Sequence, residues 1–284
     1  VYEAPPNSTG IVLLEELKIV EQFDIASMGP CTAESVHLLV EAKKLAFADR
    51  ERYIGDPEWV EIPVQELLSE EYARQQAKRI DLRRAAEDVA PGIPGRHDTT
   101  YFCVVDREGN AVSWIQSLNM AFGSGVVDEA TGILLNNRMA YWHLEEGHPN
   151  RLEPGKRVRH TINPPMVFKD GALFMVFGTP GSDLQVQTNL QLATHIIDFG
   201  LNPQQAVEAP RWLYGRTWGE PSTALRLEAR FASETIAALR ARGHDVRVVE
   251  PWSDLMGHAQ LVAIDADGLV GASDPRADGA ALGD

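Results

Sequence analysis

Little in this chain points to disulfides, membranes or nucleic acid. Cysteine occurs only at Cys31 and Cys103 in 284 residues, far apart and without the spacing of a metal site. Cys103 falls in a strand, where a buried, inert thiol is expected. No apolar run reaches the roughly eighteen residues that a transmembrane helix needs, so no membrane span is expected. Basic residues are outnumbered, 26 Lys and Arg against 41 Asp and Glu, for a net charge of −15. No basic patch dominates, which argues against nucleic acid or anionic membranes as partners. Gly123-Ser-Gly125 lacks the third glycine and the βαβ context of a dinucleotide fingerprint, and no phosphate-loop Lys-Ser/Thr signature occurs. There is no internal repeat and no low-complexity tract. No signal peptide is visible. That leaves the compartment open between cytoplasm and periplasm or exterior, because the chain starts at Val1 and reads as part of a longer precursor. What remains is 44% hydrophobic and 24% charged, the make-up of an ordinary soluble globular protein. Its length suffices for one large domain or two small ones.

The informative stretch is 96–106, Arg-His-Asp-Thr-Thr-Tyr-Phe-Cys-Val-Val-Asp. An acidic residue and two threonines open a β-strand in mid-chain. The run before it, from Glu87 to Arg96, is too rich in Pro and Gly for regular structure. A loop feeding a strand that starts on Thr is what a self-cleaving hydrolase with an N-terminal nucleophile needs. Cleavage between Asp98 and Thr99 leaves Thr99 with a hydroxyl and a free α-amine, whose unperturbed pKa is roughly 7.7–8.0. Such an amine deprotonates its own hydroxyl near neutral pH, a recognised way to activate a nucleophile. The plainer reading is strand initiation, which suits β-branched Thr.

Helical periodicity covers 10–22, with Ser8 or Thr9 as N-cap and Leu14, Leu17, Ile19 and Val20 inward. A longer helix over 32–52 presents Val36, Leu39, Val40 and Phe47, and a third covers 70–86. The charges of 41–52 read as a solvated face with i,i+4 pairs. Strands at 100–105 and 111–118 flank a hairpin loop, as do strands at 166–168 and 172–177. Helices return at 183–199 and 231–242, closed by Gly200 and Gly243. Strands at 245–249, 260–264 and 269–271 complete the chain. Strands grouped between helices fit an α+β layered architecture better than alternating βαβ units. Trp212, Trp218 and Trp252 read as packing anchors, and His195 as a satisfied core residue. His143 and His148 read as solvated loop residues whose spacing matches no zincin motif.

Several short motifs stand in a distinctive order. They are Pro5-Pro6-Asn7-Ser8-Thr9-Gly10-Ile11, Leu45-Ala46-Phe47-Ala48-Asp49-Arg50, Gly55-Asp56-Pro57, Thr99, Leu118-Asn119, Gly132 to Asn137, Gly178-Thr179-Pro180-Gly181, and Gly271 to Arg276. In order and spacing the whole chain resembles the γ-glutamyltranspeptidase family. The resemblance covers the last part of that family's large subunit, residues 1–98 here, and an entire small subunit, 99–284, together one domain. It implies the four-layer αββα sandwich of the Ntn hydrolases, incomplete here because the first part of the large subunit has no counterpart. That missing portion, or its cleaved counterpart, is an expected partner, as is a homo-oligomer of processed heterodimers. No metal or organic cofactor is implied.

The resemblance also implies a set of site residues. Thr99 is the nucleophile and Asp98–Thr99 the cleavage site. Ser117 stands where a second threonine hydrogen-bonds the nucleophile's amine; a polar strand end is the alternative. Asn119 matches an Asn that holds the substrate's α-amino group, although loop Asn residues also simply form turns. Backbone N–H groups of Gly181 and Ser182 correspond to the oxyanion hole, provided position 182 does not demand φ > 0. Three departures bear on substrate. The family's paired serines become His160 and Thr161, its Gln after Asn-Asn becomes Arg138, and its ammonium-binding Asp becomes Tyr141. Loss of a carboxylate and gain of a guanidinium disfavour an α-amine and favour a second carboxylate. The connection 142–157 is shorter than in relatives with a lid loop, which implies a more open acyl site. The expected substrate is therefore a small acyl amide. It is γ-glutamyl (glutathione-type) by default and glutaryl or cephalosporin-acylase-like by these departures; an inactive scaffold is the remaining alternative.

Overall fold

The computed structural model describes residues 1–87, 98–215, 222–266 and 268–283. The helices are α1 (Gly10–Val20), α2 (Ile25–Met28), α3 (Ala33–Tyr53), α4 (Val64–Leu67), α5 (Glu70–Ala77), α6 (Leu184–Ile197), α7 (Pro203–Glu208) and α8 (Ser233–Ala241). The strands are β1 (Asp98–Val105), β2 (Ala111–Asn119), β3 (Met166–Lys169), β4 (Ala172–Gly178), β5 (Trp212–Tyr214), β6 (Leu225–Glu228), β7 (Val246–Val249), β8 (Gln260–Asp265) and β9 (Gly268–Ser273). Local chemistry explains several helix starts. Thr32 caps α3 by accepting from Ser35 N, and Ser69 caps α5 by accepting from Tyr72 N. Asn202 and Gln205 form a capping box at α7, with Pro203 in the first turn.

The architecture is the α+β one expected. β3, β4, β8 and β9 form an antiparallel four-stranded sheet, and β1 pairs antiparallel with β2. Alternation along β4 separates two faces. Met175 and Phe177 share a core with Leu192 and Ala193 of α6 and Val207 of α7. On the opposite face, a Cβ at Gly178 would collide with the Tyr101 ring of β1, so glycine lets the two sheets close together there. The order is thus helix, sheet, sheet. The outer face of the β1–β2 hairpin carries exposed Phe102, Val104, Val112 and Trp114, and no fourth layer covers it among the described residues. On the far side α3 lies in the main core with α1, α6 and α8.

Several expectations need correction. Helix α5 stops at Ala77 rather than at 86. Beyond it the backbone is held by tertiary bonds instead, with Ala85 N donating to Arg242 O and Ala86 N to Glu41. At α1 neither Ser8 nor Thr9 caps by side chain in the usual way; Ser8 Oγ accepts from Gly10 N only. Strands β5 and β6 have no counterpart in the sequence reading, and β6–α8–β7 is one parallel βαβ crossover inside the α+β fold. Trp212 is a core anchor, whereas Trp252 is exposed at φ 58° under the Arg230 guanidinium. Trp218 and most of the 87–96 run lie outside the described residues. The 271–276 motif has a structural role: Arg276 pairs with Glu228 and Asp274, and Asp274 with Arg211, all fully buried. Among the described residues no helix is long and apolar enough to cross a membrane.

The largest departure concerns charge. The face of α3 expected to be solvated is interior, with Glu41, Lys43, Lys44, Asp49 and Arg50 all buried. Helix α1 buries Glu15 and Glu16 while Leu14 and Leu17 stay half-exposed, so neither helix presents a clean apolar stripe. Neither oxygen of Glu16 has a hydrogen-bond partner among the described residues. Burial raises its pKa to about 8 despite the nearby Lys43 and Arg50. Burial also lowers Lys43 to about 7. A carboxyl whose folded pKa is raised stabilises most at low pH and loses that contribution as pH rises toward the folded value. Replacing Glu16 with Gln removes this penalty. Between pH 5 and 6, where Lys43 is protonated both folded and unfolded, the urea midpoint of Glu16→Gln should rise relative to wild type with each pH step. A constant difference across that window would refute the neutral, buried Glu16.

Candidate active site

Register decides what Thr99 faces. Thr99 shares its side of β1 with Tyr101, which packs against Gly178, so its side chain turns toward the space between the sheets. Opposite it lies Ser117, and Thr99 Oγ1 donates to Ser117 Oγ at 2.8 Å. One residue earlier the ladder shifts, since Asp98 pairs with Asn119 and leaves Leu118 as an extra residue on β2. Such bulges re-aim side chains. Here the bulge falls on the 98–99 peptide.

From Ser117 a chain of bonds runs outward. Asn119 N donates to Ser117 Oγ at 2.9 Å, and Asn119 holds a left-handed φ of 77°. Its Nδ2 donates to Asn137 Oδ1 at 3.0 Å, which also accepts from Met120 N. Asn137 leads directly into a 3-10 turn, Arg138–Tyr141, which carries both residues expected to set substrate preference. Arg138 is buried and Nη1 donates to Thr161 Oγ1 at 3.1 Å. No carboxylate lies within ion-pairing distance of Arg138 among the described residues. Burial lowers its pKa, with Tyr141 and Asp183 opposing. Half-buried His160 lies beside Thr161; burial and then the Arg138 charge lower it to about 4, so it is neutral. Its Nδ1 accepts from Ile162 N at 3.3 Å.

The second wall is the turn into α6. Gly181 has φ 129° and Ser182 φ 56°. The proviso on position 182 therefore fails: a left-handed φ is demanded, and a non-glycine residue there costs roughly 1–2 kcal/mol. Something offsets that cost locally, because the Ser182 hydroxyl hydrogen-bonds the Tyr141 hydroxyl. Burial and the neighbouring Asp183 push the Tyr141 phenol upward, keeping it neutral. Asn150 Nδ2 donates to Tyr141 O at 2.7 Å and fixes the other end of the residue. Among the described residues neither the Gly181 nor the Ser182 backbone N–H donates a hydrogen bond.

All the sequence-derived positions therefore fall on two connected walls, Thr99–Ser117–Asn119 and Arg138–Tyr141–Ser182, with His160 and Thr161 beside Arg138. Sequence reasoning missed the parts that join them. Asn137 bridges the walls, and only its presence in the 132–137 motif hinted at a role. Arg50 Nη1 pairs with Asp183 at 2.7 Å and tethers the start of α6 to α3; its charge reads as a surface feature, and only its place in the 45–50 motif hinted at a role. Beyond this pair, Glu51 accepts from Arg50 and Arg159, and His143 and His148 stack at 3.6 Å beside it. These two histidines are half-buried rather than solvated. His195 is buried, and its Nδ1 has no hydrogen-bond partner among the described residues. Burial lifts the thiols of Cys31 and Cys103 to about 12 and 11, making both unreactive near neutral pH.

Comparison with known proteins gives one answer. A family model described as gamma-glutamyltranspeptidase matches residues 1–284. The glutathione hydrolase-like YwrD proenzyme of Bacillus subtilis is 45% identical over 284 residues, which are 100% of this chain and 54% of that one. The oxamate amidohydrolase proenzyme of Klebsiella pneumoniae is 43% identical, over 100% of this chain and 53% of its own. Among solved structures, the cephalosporin acylase from Bacillus halodurans matches with a TM-score of 0.83 at 38% identity, covering 97% of this chain and 49% of that one. The chain thus spans about half the length of these relatives. With a match along every residue, a shared fold and the motifs on the two walls, the chain belongs to the γ-glutamyltranspeptidase family.

Proposed function

We propose that this chain carries the nucleophile half of a self-processing amidohydrolase, with Thr99 as nucleophile once the 98–99 peptide is cut. The observation that carries the reading is the inward-facing Thr99 hydroxyl on Ser117 at a strand bulge. In the precursor Thr99 Oγ1 attacks the Asp98 carbonyl carbon. The C–N bond breaks, the proton passes to the leaving nitrogen, and the resulting ester is opened by water. Residues 1–98 and 99–284 then form separate subunits of one domain. The freed α-amine takes the Thr99 hydroxyl proton as the oxygen attacks a substrate amide. The tetrahedral oxyanion is held by the Gly181 and Ser182 N–H groups. Collapse expels the amine and leaves an acyl ester on Thr99. Water completes hydrolysis, whereas an acceptor amine completes transfer. Ser117, bonded to Thr99 Oγ1 and to Asn119 N, orients the nucleophile.

Arg138 supports a particular acyl group. A buried guanidinium that bonds the Thr161 hydroxyl, lies over the Tyr141 ring and has no ion-paired carboxylate among the described residues is a costly arrangement that an anion relieves. With Tyr141 in place of an acid, the site offers an α-ammonium no carboxylate and confronts it with a cation. We therefore favour amides of acids that carry a second carboxylate and no α-amine over γ-glutamyl compounds. The names oxamate amidohydrolase and cephalosporin acylase among the relatives agree with that direction. Tyr141 has a second role in this scheme. Through its hydroxyl it fixes Ser182, and with it an oxyanion donor, in the left-handed conformation.

Three outcomes are expected of the full-length protein. Thr99→Ala should stay uncut on a denaturing gel and lose amidase activity roughly a thousandfold or more; retained activity would remove Thr99 as nucleophile and an uncut, inactive wild type would favour the scaffold reading. Glutaryl p-nitroanilide should be hydrolysed with higher kcat/KM than the γ-glutamyl compound, and Arg138→Gln should erase that preference, about ten- to hundredfold for one charged hydrogen bond. A wild-type preference for γ-glutamyl would discard the charge argument. Tyr141→Phe should lower kcat about tenfold with KM little changed, and adding Ser182→Gly should recover much of it, because glycine holds a positive φ unaided. No recovery in the double variant would mean that Tyr141 acts on substrate directly.

A further inference from the structure

Away from the catalytic walls, three buried side chains from distant parts of the chain converge. His37 and Glu41 lie one helical turn apart on α3, and His244 follows α8. All three are buried, and one ligand atom from each falls within 4.8 Å of the others. The geometry points to a transition-metal site of the Zn2+ type, with His37 Nδ1, His244 Nε2 and a Glu41 oxygen as ligands.

Hydrogen bonding fixes the tautomer. His37 Nε2 lies 2.8 Å from the Asp81 carbonyl oxygen, which only accepts, so Nε2 bears the proton and Nδ1 presents a lone pair. A backbone carbonyl holding the remote N–H is the usual support of a metal-bound histidine. His37 Nδ1 faces His244 Nε2 at 2.7 Å, and a single proton now occupies the gap. His244 Nδ1 is buried without a hydrogen-bond partner among the described residues. When a cation enters, that proton moves to His244 Nδ1 and both rings ligate as neutral imidazoles. Zinc–nitrogen bonds of about 2.0–2.1 Å at a tetrahedral angle need the two nitrogens about 3.3 Å apart. That is an opening of roughly half an ångström, and His244 follows Gly243 in a left-handed turn at the end of α8. A cavity of about 280 Å3, lined by Glu41, Arg79, Asp81, Arg84 and Glu87, borders the cluster and offers a path and a fourth position for water.

The charges opposing a cation are Lys44, 2.6 Å from Glu41 Oε1, and Arg242, with Arg79 and Arg84 along the cavity. Glu41 keeps lone pairs beyond those used by Lys44 and Ala86 N. The other histidine pair is a poorer candidate. His148 Nδ1 accepts from Asn150 N, so its Nε2 keeps the proton, and Glu51 is already claimed by Arg50 and Arg159. A metal at His37 and His244 would clamp residues on both sides of Thr99, since α3 precedes it and His244 follows it.

Chelator-treated protein titrated with Co2+ and Zn2+ tests this directly. One Co2+ per chain should bind, with the intense visible absorption of a four-coordinate ion, and Zn2+ should displace it. His37→Gln and His244→Gln should each weaken binding by about a hundredfold or more, and Glu41→Gln by at least about tenfold. His148→Ala and Thr99→Ala should bind like wild type. Failure of wild type to bind saturably, or equal binding by the folded His37→Gln, His244→Gln and Glu41→Gln proteins, would overturn the site. Anomalous diffraction from a zinc-soaked wild-type crystal locates the ion without relying on any variant's folding: the peak should lie between the two rings, and a peak elsewhere refutes the site.

Discussion

Which way Thr99 points rests on the register of one antiparallel pair. A strand has two faces, and a slip of a single residue exchanges them. Tyr101 packed over Gly178 sets the inward face of β1, and Thr99 inherits it. The bulge at Leu118 then breaks regular pairing where the 98–99 bond enters the strand. Ser117, Asn119 and the turn carrying Arg138 and Tyr141 all take their places from that hairpin.

A second constraint is electrostatic. The region behind the site holds Glu15, Glu16, Lys43, Asp49, Arg50 and Asp183 largely away from solvent. Groups buried this way persist only when paired, neutralised or hydrogen-bonded. Arg50 and Asp183 take the first course, and Glu16 the second. The start of α6, and so the Gly181–Ser182 turn, is thereby anchored through an ion pair as well as through the packing of Leu184 with Leu213 and Met256.

Much of the fold is legible in the sequence because alternation and capping are local. Helices α1, α3, α6 and α8, both hairpins and the last three strands follow from period, turn residues and glycine stops. Helix α5 ends earlier than its pattern suggests because nothing local marks where tertiary bonds to Arg242 and Glu41 replace helical ones. The charges of α3 read as surface because a helix covered on every side has no polar face for the pattern to reveal. Thr99, Ser117 and the 181–182 turn are visible through motifs. Their connectors are not, since the tie from Asn119 to Asn137 and that from Arg50 to Asp183 span separations that no local rule reaches. The Tyr141–Ser182 contact is equally hidden: each substitution looks like an isolated departure, and only in space do they form a pair.

The side of the hairpin that no described residue covers has a practical corollary. Along β1 the odd-numbered Thr99 and Tyr101 face the space between the sheets while Phe102 and Val104, with Val112 and Trp114 across the pair, form a greasy panel on the outside. The apolar panel and the Thr99 side are thus interleaved on the same strand yet separable by parity. Polar replacements at the even positions would make a handling-friendly variant in which Thr99 keeps an unaltered setting.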